Sequence, residues 1–206
     1  MCAPSSQVER NLDSSVNATG ADTRVRPYDH PSLVMGSRNH SPKGHVAFLS
    51  LGSNVGDTRQ HLKKARQALA ALGVGVEEVS ACYATEPVDF KDQPWFLNQV
   101  IRVRTDLTPM ELLQACLRTE HEHGRRREIA KGPRTLDIDI LLYDDLILQD
   151  PELQIPHPRI PLRRFVLEPL AALAPNKIHP VLQDTFASLL AKCQDNSRVE
   201  RLEESD

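Results

Sequence analysis

Aromatic residues make up only 4% of this chain, as five Phe, three Tyr and one Trp among 206 residues. A sheet that binds RNA by stacking bases on exposed rings needs more than that. Positive charge is short as well. Twenty-five Lys and Arg against 28 Asp and Glu leave a formal net charge of -3, whereas a general nucleic-acid binder is usually basic. No run of eighteen or more apolar residues occurs, so no membrane-spanning helix is expected. A basic start followed by an apolar stretch is missing too, so no secretory signal is expected. The four cysteines, Cys2, Cys82, Cys116 and Cys193, form no C-x-x-C pair and read as reduced thiols of a cytoplasmic protein. No G-K-[ST] follows a glycine-rich turn, which excludes a P-loop, and no internal repeat is visible.

What remains is an ordinary globular composition, 40% hydrophobic and 26% charged. The length suits one domain plus a tail, and about 160 residues can bury a sizeable core without staples. Residues 1–44 are rich in Ser, Asn, Asp, Arg and Pro and lack a sustained apolar period, so they read as a disordered N-terminal extension. From 45 to 206 the chain reads as one folded domain. Residues 45–51 form a buried strand, and the Gly52-Ser-Asn-Val-Gly-Asp57 turn leads into a helix over 58–72, with Asp57 or Thr58 as its cap. Strands are expected over 76–85 and 96–104. Thr108-Pro-Met-Glu111 is a capping box that opens a helix ending at Gly124. Further strands are expected over 135–143 and 146–148, and helices near 165–173 and 185–193. The order β-α-β-β-α-β with late helices predicts an α+β, ferredoxin-like sandwich, with a mostly antiparallel central sheet and helices on both faces.

The most informative segment is Gly132-Pro-Arg-Thr-Leu-Asp-Ile-Asp-Ile-Leu-Leu142. In a strand, side chains two apart share a face. Asp137 and Asp139 therefore point one way, and Leu136, Ile138 and Ile140 point the other, toward the core. Two adjacent carboxylates repel each other unless a cation compensates. Oxygen ligands at this spacing suit Mg²⁺, which takes one or two carboxylates plus phosphate oxygens. Ordinary surface charge on an exposed strand is the competing explanation, and the neighbours weigh against it. Arg125, Arg126, Arg127, Lys131 and Arg134 fall within ten residues of a chain that is acidic overall. Arginine forks match phosphate oxygens. A solvated basic loop, or salt bridges to Asp137 and Asp139, remains open as the simpler explanation of that run.

Phe90, Trp95 and Phe96 lie in and beside one polar loop, and Asn98 shares a strand face with Phe96. A ring to stack on and an amide to read edges suit a flat heterocycle. A core Phe beside a strand-edge Asn would look the same in sequence. His157 can touch phosphate or cap a turn. His121 and His123 diverge on a helix, so they are not a zinc pair. Two-metal nucleotidyltransferases also join a Gly-Ser turn to a D-x-D strand, but keep them close. Here Ser53 and Asp137 are more than eighty residues apart.

Together these pieces resemble the 6-hydroxymethyl-7,8-dihydropterin pyrophosphokinase family from about His45 to about Leu202. The 132–142 segment is similar to the family signature. Leu-Gly-Ser-Asn at 51–54, Tyr-x-Thr-x-Pro at 83–87, Asp-Gln-Pro at 92–94, Phe-Leu-Asn at 96–98, Gly-Arg-x-Arg at 124–127, Pro-His at 156–157 and Arg-x-Phe at 163–165 follow in order. The resemblance implies pyrophosphoryl transfer from ATP to the hydroxymethyl group of a dihydropterin, in folate biosynthesis. It implies that Asp137 and Asp139 bind two Mg²⁺ ions, and that Arg125 and Arg134 contact the phosphates. Arg127, Glu120, Ile140, His157 and Arg163 would meet the nucleotide. Phe96 and Phe165 would sandwich the pterin, with Asn98, Thr85, the backbone near Val88, and Asn54 around it. A monomer with no nucleic-acid or membrane partner is expected. The chain departs from the family pattern at Ala130 and Lys131, where a basic residue and Trp are common. It departs again at Pro158, where an aromatic is common, and at Leu117, where a glutamine is expected.

Overall fold

A computed structural model describes residues 44–88, 91–124 and 132–203. The N-terminal segment before Gly44 and most of the basic loop lie outside the described residues. The elements run β1 (His45–Ser53), α1 (Thr58–Ala71), β2 (Val74–Val79), β3 (Tyr83–Thr85), β4 (Phe96–Thr105), α2 (Pro109–Glu122) and β5 (Asp137–Tyr143). After them come β6 (Leu148–Gln149), β7 (Gln154–Ile155), α3 (Arg164–Leu173), α4 (Phe186–Lys192) and β8 (Val199–Arg201). The helices begin where the capping chemistry places them. Asp57 accepts the Gln60 N–H at 3.0 Å, and Thr108 and Glu111 form the reciprocal capping box.

Six strands form one antiparallel sheet in the order β5-β1-β4-β3-β8, with β2 beside β4 as well. This is the expected ferredoxin-like arrangement, with two differences. The strand expected over 76–85 is broken in two. The Ser80 N–H donates to the Val100 carbonyl at 2.9 Å, and the Ser80 hydroxyl accepts the Val100 N–H at 3.0 Å. A side chain thus replaces a ladder carbonyl, and the chain steps between β2 and β3 there. The other difference is β8, a polar three-residue strand that pairs with β3. The strand expected at 146–148 falls at Leu148–Gln149, paired with β7.

Helices cover both sheet faces. On one, Ala47, Leu49 and Leu51 of β1 and Ile138 and Ile140 of β5 pack with Leu62, Ala65 and Leu69 of α1 and Leu112 and Cys116 of α2. On the other, Phe48 and Val100 pack with Val166, Leu167 and Leu170 of α3 and Phe186 and Leu189 of α4. β5 obeys strict alternation only as far as Ile140. Phe48 pairs with Leu142 and Leu49 with Ile140, so Leu141 is an extra residue, a β-bulge. Both Leu141 and Leu142 consequently join the second core. The bulge also leaves the Leu141 carbonyl free to accept the His157 N–H at 2.9 Å, which ties the Pro156–Pro158 loop to the sheet.

Candidate active site

The second sheet face changes character along its strands. Phe48 and Val100 are covered by α3 and α4, but one pleat further the same face carries Ser50, Gly52, Asn98, Phe96, Asp139 and Asp137, and these line a cavity. Register places them in rows. Gly52 pairs with Asp137 on one side and Asn98 on the other, and Ser50 sits beside Asp139. The alternation read from sequence therefore holds where it matters, with both carboxylates on the cavity side and Leu136, Ile138 and Ile140 in the opposite core.

Asp137 and Asp139 form one wall. Among the described residues Arg134 offsets their repulsion, its guanidinium donating to Asp137 Oδ2 at 2.6 Å. The pair is half-buried, with side-chain exposures of 24% and 23%, so solvent screens it only in part. Arg134 also lies over the Phe96 ring, 5.3 Å from its centroid. Its Nε is buried and has no hydrogen-bond partner among the described residues. A buried donor beside two carboxylates matches a phosphate held through a cation. Among the described residues no group of three or more His, Cys, Asp and Glu is placed to hold a metal ion. Two carboxylates are still sufficient for Mg²⁺, whose remaining ligands are substrate oxygens and water, and the oxygen-only donor set fits that ion.

His157, Arg159 and Arg163 close the cavity beyond this wall. Burial holds the His157 imidazole below its ordinary pKa; Asp139 and Asp137 oppose that shift, and Arg163 and Arg159 add to it. Its Nδ1 accepts the Arg159 N–H at 3.1 Å, so the neutral ring carries its proton on Nε2.

The opposite wall holds Phe96, Asn98, Thr85, Glu86, Pro87, Val88 and Gln93, with Phe165 from α3. The Asn98 amide donates to Thr85 Oγ1 at 2.7 Å, which fixes the orientation of its carboxamide. A Cβ on Gly52 would lie 2.7 Å from Asn98 Oδ1, so the carboxamide occupies the space of the missing side chain. Arg163 lies over the Phe165 ring at 5.3 Å.

Three expected contact residues sit elsewhere. Asn54 is buried beneath the cavity rather than on its wall. Its Oδ1 accepts the Arg134 N–H at 2.7 Å, and its Nδ2 donates to Gln93 Oε1 at 3.0 Å and to the Pro94 carbonyl at 3.1 Å. It clamps the two walls together. Glu120 is buried on α2, where it accepts the Ile138 N–H at 2.7 Å and caps the outer edge of β5. The Ile140 side chain lies in the core on the far face. Arg125 and Arg127 lie outside the described residues. Ser50, Gly52, Glu86, Pro87, Gln93 and Arg159 line the cavity without having been selected from sequence. Gly52, Pro87 and Gln93 are matched residues of the motifs at 51–54, 83–87 and 92–94, whereas Ser50, Glu86 and Arg159 carried no such signal.

Comparison with known proteins gives one consistent answer. The family model described as 7,8-dihydro-6-hydroxymethylpterin-pyrophosphokinase (HPPK) matches residues 48–175. The chain is 44% identical over 158 residues to the 2-amino-4-hydroxy-6-hydroxymethyldihydropteridine pyrophosphokinase of Methylorubrum extorquens, covering 76% of this chain and 98% of the relative. It is 45% identical over 132 residues to the Bacillus subtilis protein of the same name, covering 62% and 77%. To the folic acid synthesis protein fol1 of Schizosaccharomyces pombe it is 43% identical over 153 residues, 74% of this chain but only 21% of that longer protein. Among solved structures, Plasmodium falciparum HPPK-DHPS wild type is similar in fold, with a TM-score of 0.55 at 18% identity over 72% of this chain and 43% of that one.

Proposed function

The chain belongs to the 7,8-dihydro-6-hydroxymethylpterin-pyrophosphokinase family, and on that premise we propose that its cavity transfers a pyrophosphoryl group from ATP to 6-hydroxymethyl-7,8-dihydropterin. The products are AMP and the pterin diphosphate. The hydroxymethyl oxygen forms a bond to the β-phosphorus, and the bond from that phosphorus to the α,β-bridging oxygen breaks. The observation that carries this reading is the row Asp137–Gly52–Asn98. Two interstrand spacings, roughly 10 Å, separate the acidic strand from the Asn98 strand. A phosphate-holding wall thus faces a wall that can read a flat ring, and the side-chain-free Gly52 lies between them, where the one-carbon arm has to pass.

Asp137 and Asp139 would hold two Mg²⁺ ions, which when bound supply neutralisation of phosphate charge. Arg134 offers its buried Nε–H to a phosphate oxygen while Asp137 and Phe96 hold the rest of the fork in place. His157 donates from Nε2 as a neutral group, and Arg159 and Arg163 add charge at the cavity's outer end. Asn98, oriented by Thr85, hydrogen-bonds the pterin edge, and Phe96 and Phe165 pack on its faces. Arg125 and Arg127 act from the loop outside the described residues. Asn54 serves by holding the two walls. Glu120 braces the start of β5, and Ile140 offers the nucleotide backbone contact only. Catalysis on this scheme is positioning and electrostatics. On this reading the protein works as a cytoplasmic monomer. Asp137→Asn or Asp139→Asn is expected to lower turnover about 10³-fold, about 4 kcal/mol of transition-state stabilisation. Quantifying AMP and pterin diphosphate for both variants tests this, and near-normal turnover would remove that residue from the metal wall.

A further inference from the structure

The wall that faces the pterin is built on little secondary structure. β3 has three residues, and the loop 86–95 that follows it has no regular element among its described residues. Two anchors hold the loop among the described residues. Asn54 holds it from inside the sheet, through Gln93 and Pro94. From outside it is held by one residue at the start of the C-terminal strand. The Arg198 carbonyl accepts the Glu86 N–H at 3.1 Å, and the Arg198 N–H donates to Glu86 Oε2 at 3.3 Å. The Arg198 guanidinium lies over the Trp95 ring, 5.2 Å from its centroid, and pairs with Glu200 at 2.6 Å. Behind it, Val199 pairs with Thr85, the residue that orients Asn98. Arg198 therefore touches both ends of the segment that runs from Glu86 to Trp95, and it lies beyond the stretch matched by the family model.

We propose that Arg198 is a positioning residue for the pterin wall, setting the separation of Glu86 and Trp95 and thereby the place of Thr85, Val88 and Phe96. The proposal rests on the function given above. The Arg198 contacts fall on Glu86, Trp95 and Glu200, whereas Asp137, Asp139, His157 and Arg163 of the ATP side stand on other elements. Loss of the side chain therefore weakens one substrate and spares the other. With 68% of its side chain exposed, Arg198 can be truncated without opening the core.

The test measures steady-state rates for the full chain and for Arg198→Ala and Arg198→Lys, varying pterin and ATP separately. Arg198→Ala is expected to raise the pterin KM about two- to fivefold, the factor carried by an exposed cation–π contact. The ATP KM, kcat and thermal midpoint stay at wild-type values, and Arg198→Lys restores the pterin KM because it keeps a cation over the ring. Trp95 is the chain's sole tryptophan, so its emission reads the contact directly and shifts to the red in Arg198→Ala. Trp95→Leu raises the pterin KM by a similar factor, and the double variant adds nothing further. An unchanged pterin KM in an active Arg198→Ala enzyme overturns the proposal, as does a parallel rise in both KM values or an unshifted emission. A wild-type chain that makes no pterin diphosphate overturns the function itself, and this role with it.

Discussion

A Cβ built at Gly52 would stand 2.7 Å from Asn98 Oδ1, and Asn98 is the amide held by Thr85 at 2.7 Å. The atom that would have to move is the end of a side chain, so Gly52→Ala leaves the strand intact and displaces the carboxamide. Losing one hydrogen bond to a ligand corresponds to about 1 kcal/mol. The pterin KM is therefore expected to rise about fivefold, with the ATP KM unchanged. Initial-rate measurements check this, and an unaltered pterin KM would show that Asn98 does not read the pterin. In the sequence Gly52 was visible as part of a turn and of the Leu-Gly-Ser-Asn motif at 51–54. Its purpose depends on a residue on β4, forty-six positions away, which no local pattern can reveal.

At the scale of elements, the two walls meet through Asn54, buried between β1 and the loops that lead to β4 and β5. Removing its side chain leaves the Arg134 N–H and the Pro94 carbonyl without their partner. Asn54→Ala is expected to cost about 2–4 kcal/mol of stability and to raise the KM values of both substrates, in contrast to Gly52→Ala. Urea unfolding and initial rates on one preparation check both parts; an effect on one KM alone would contradict the clamp. Local signals made the helices legible. Asp57 and Thr108 cap where they were expected to, and the period of Leu62, Ala65 and Leu69 marks the buried face of α1. The acid wall was legible because D-x-D in an apolar strand leaves one orientation. The breaks were not. Ser80 interrupts the 76–85 strand through a side-chain bond to β4, and the Leu141 bulge is masked by a continuous apolar run. β8 is a polar segment whose pairing is a backbone interaction with β3, so its sequence carries no strand period. Asn54 and Glu120 matched family positions by their place in the motif, while the structure shows them bracing the cavity from behind.

For the whole molecule, stability is linked to protonation far from the cavity. His179 is 4% exposed in the corner between α3 and α4, and its Nδ1 accepts the N–H groups of Val181 and Leu182, both at 3.2 Å. Burial lowers its pKa. Below about pH 6.5 the unfolded chain therefore takes up a proton that the folded chain resists. The sign follows directly: stability is fully present above about pH 6.5 and is lost as pH falls toward the depressed folded value. Urea midpoints at about pH 7.5 and about pH 5.5 are expected to fall by less in His179→Asn than in the wild type. An equal fall in both would place the sensitivity elsewhere, with His157 or the carboxylates.

The cavity itself unites an acidic wall and a wall bearing Phe96 and Asn98 on a single sheet face, and the reaction proposed for it has distinctive products. Purified protein is incubated with ATP, Mg²⁺ and 6-hydroxymethyl-7,8-dihydropterin, and AMP, pyrophosphate and pterin diphosphate are quantified. AMP formed one-for-one with pterin diphosphate, and only with magnesium, is the expected result. Pyrophosphate release, or well-folded protein that binds ATP and makes neither product, would contradict it.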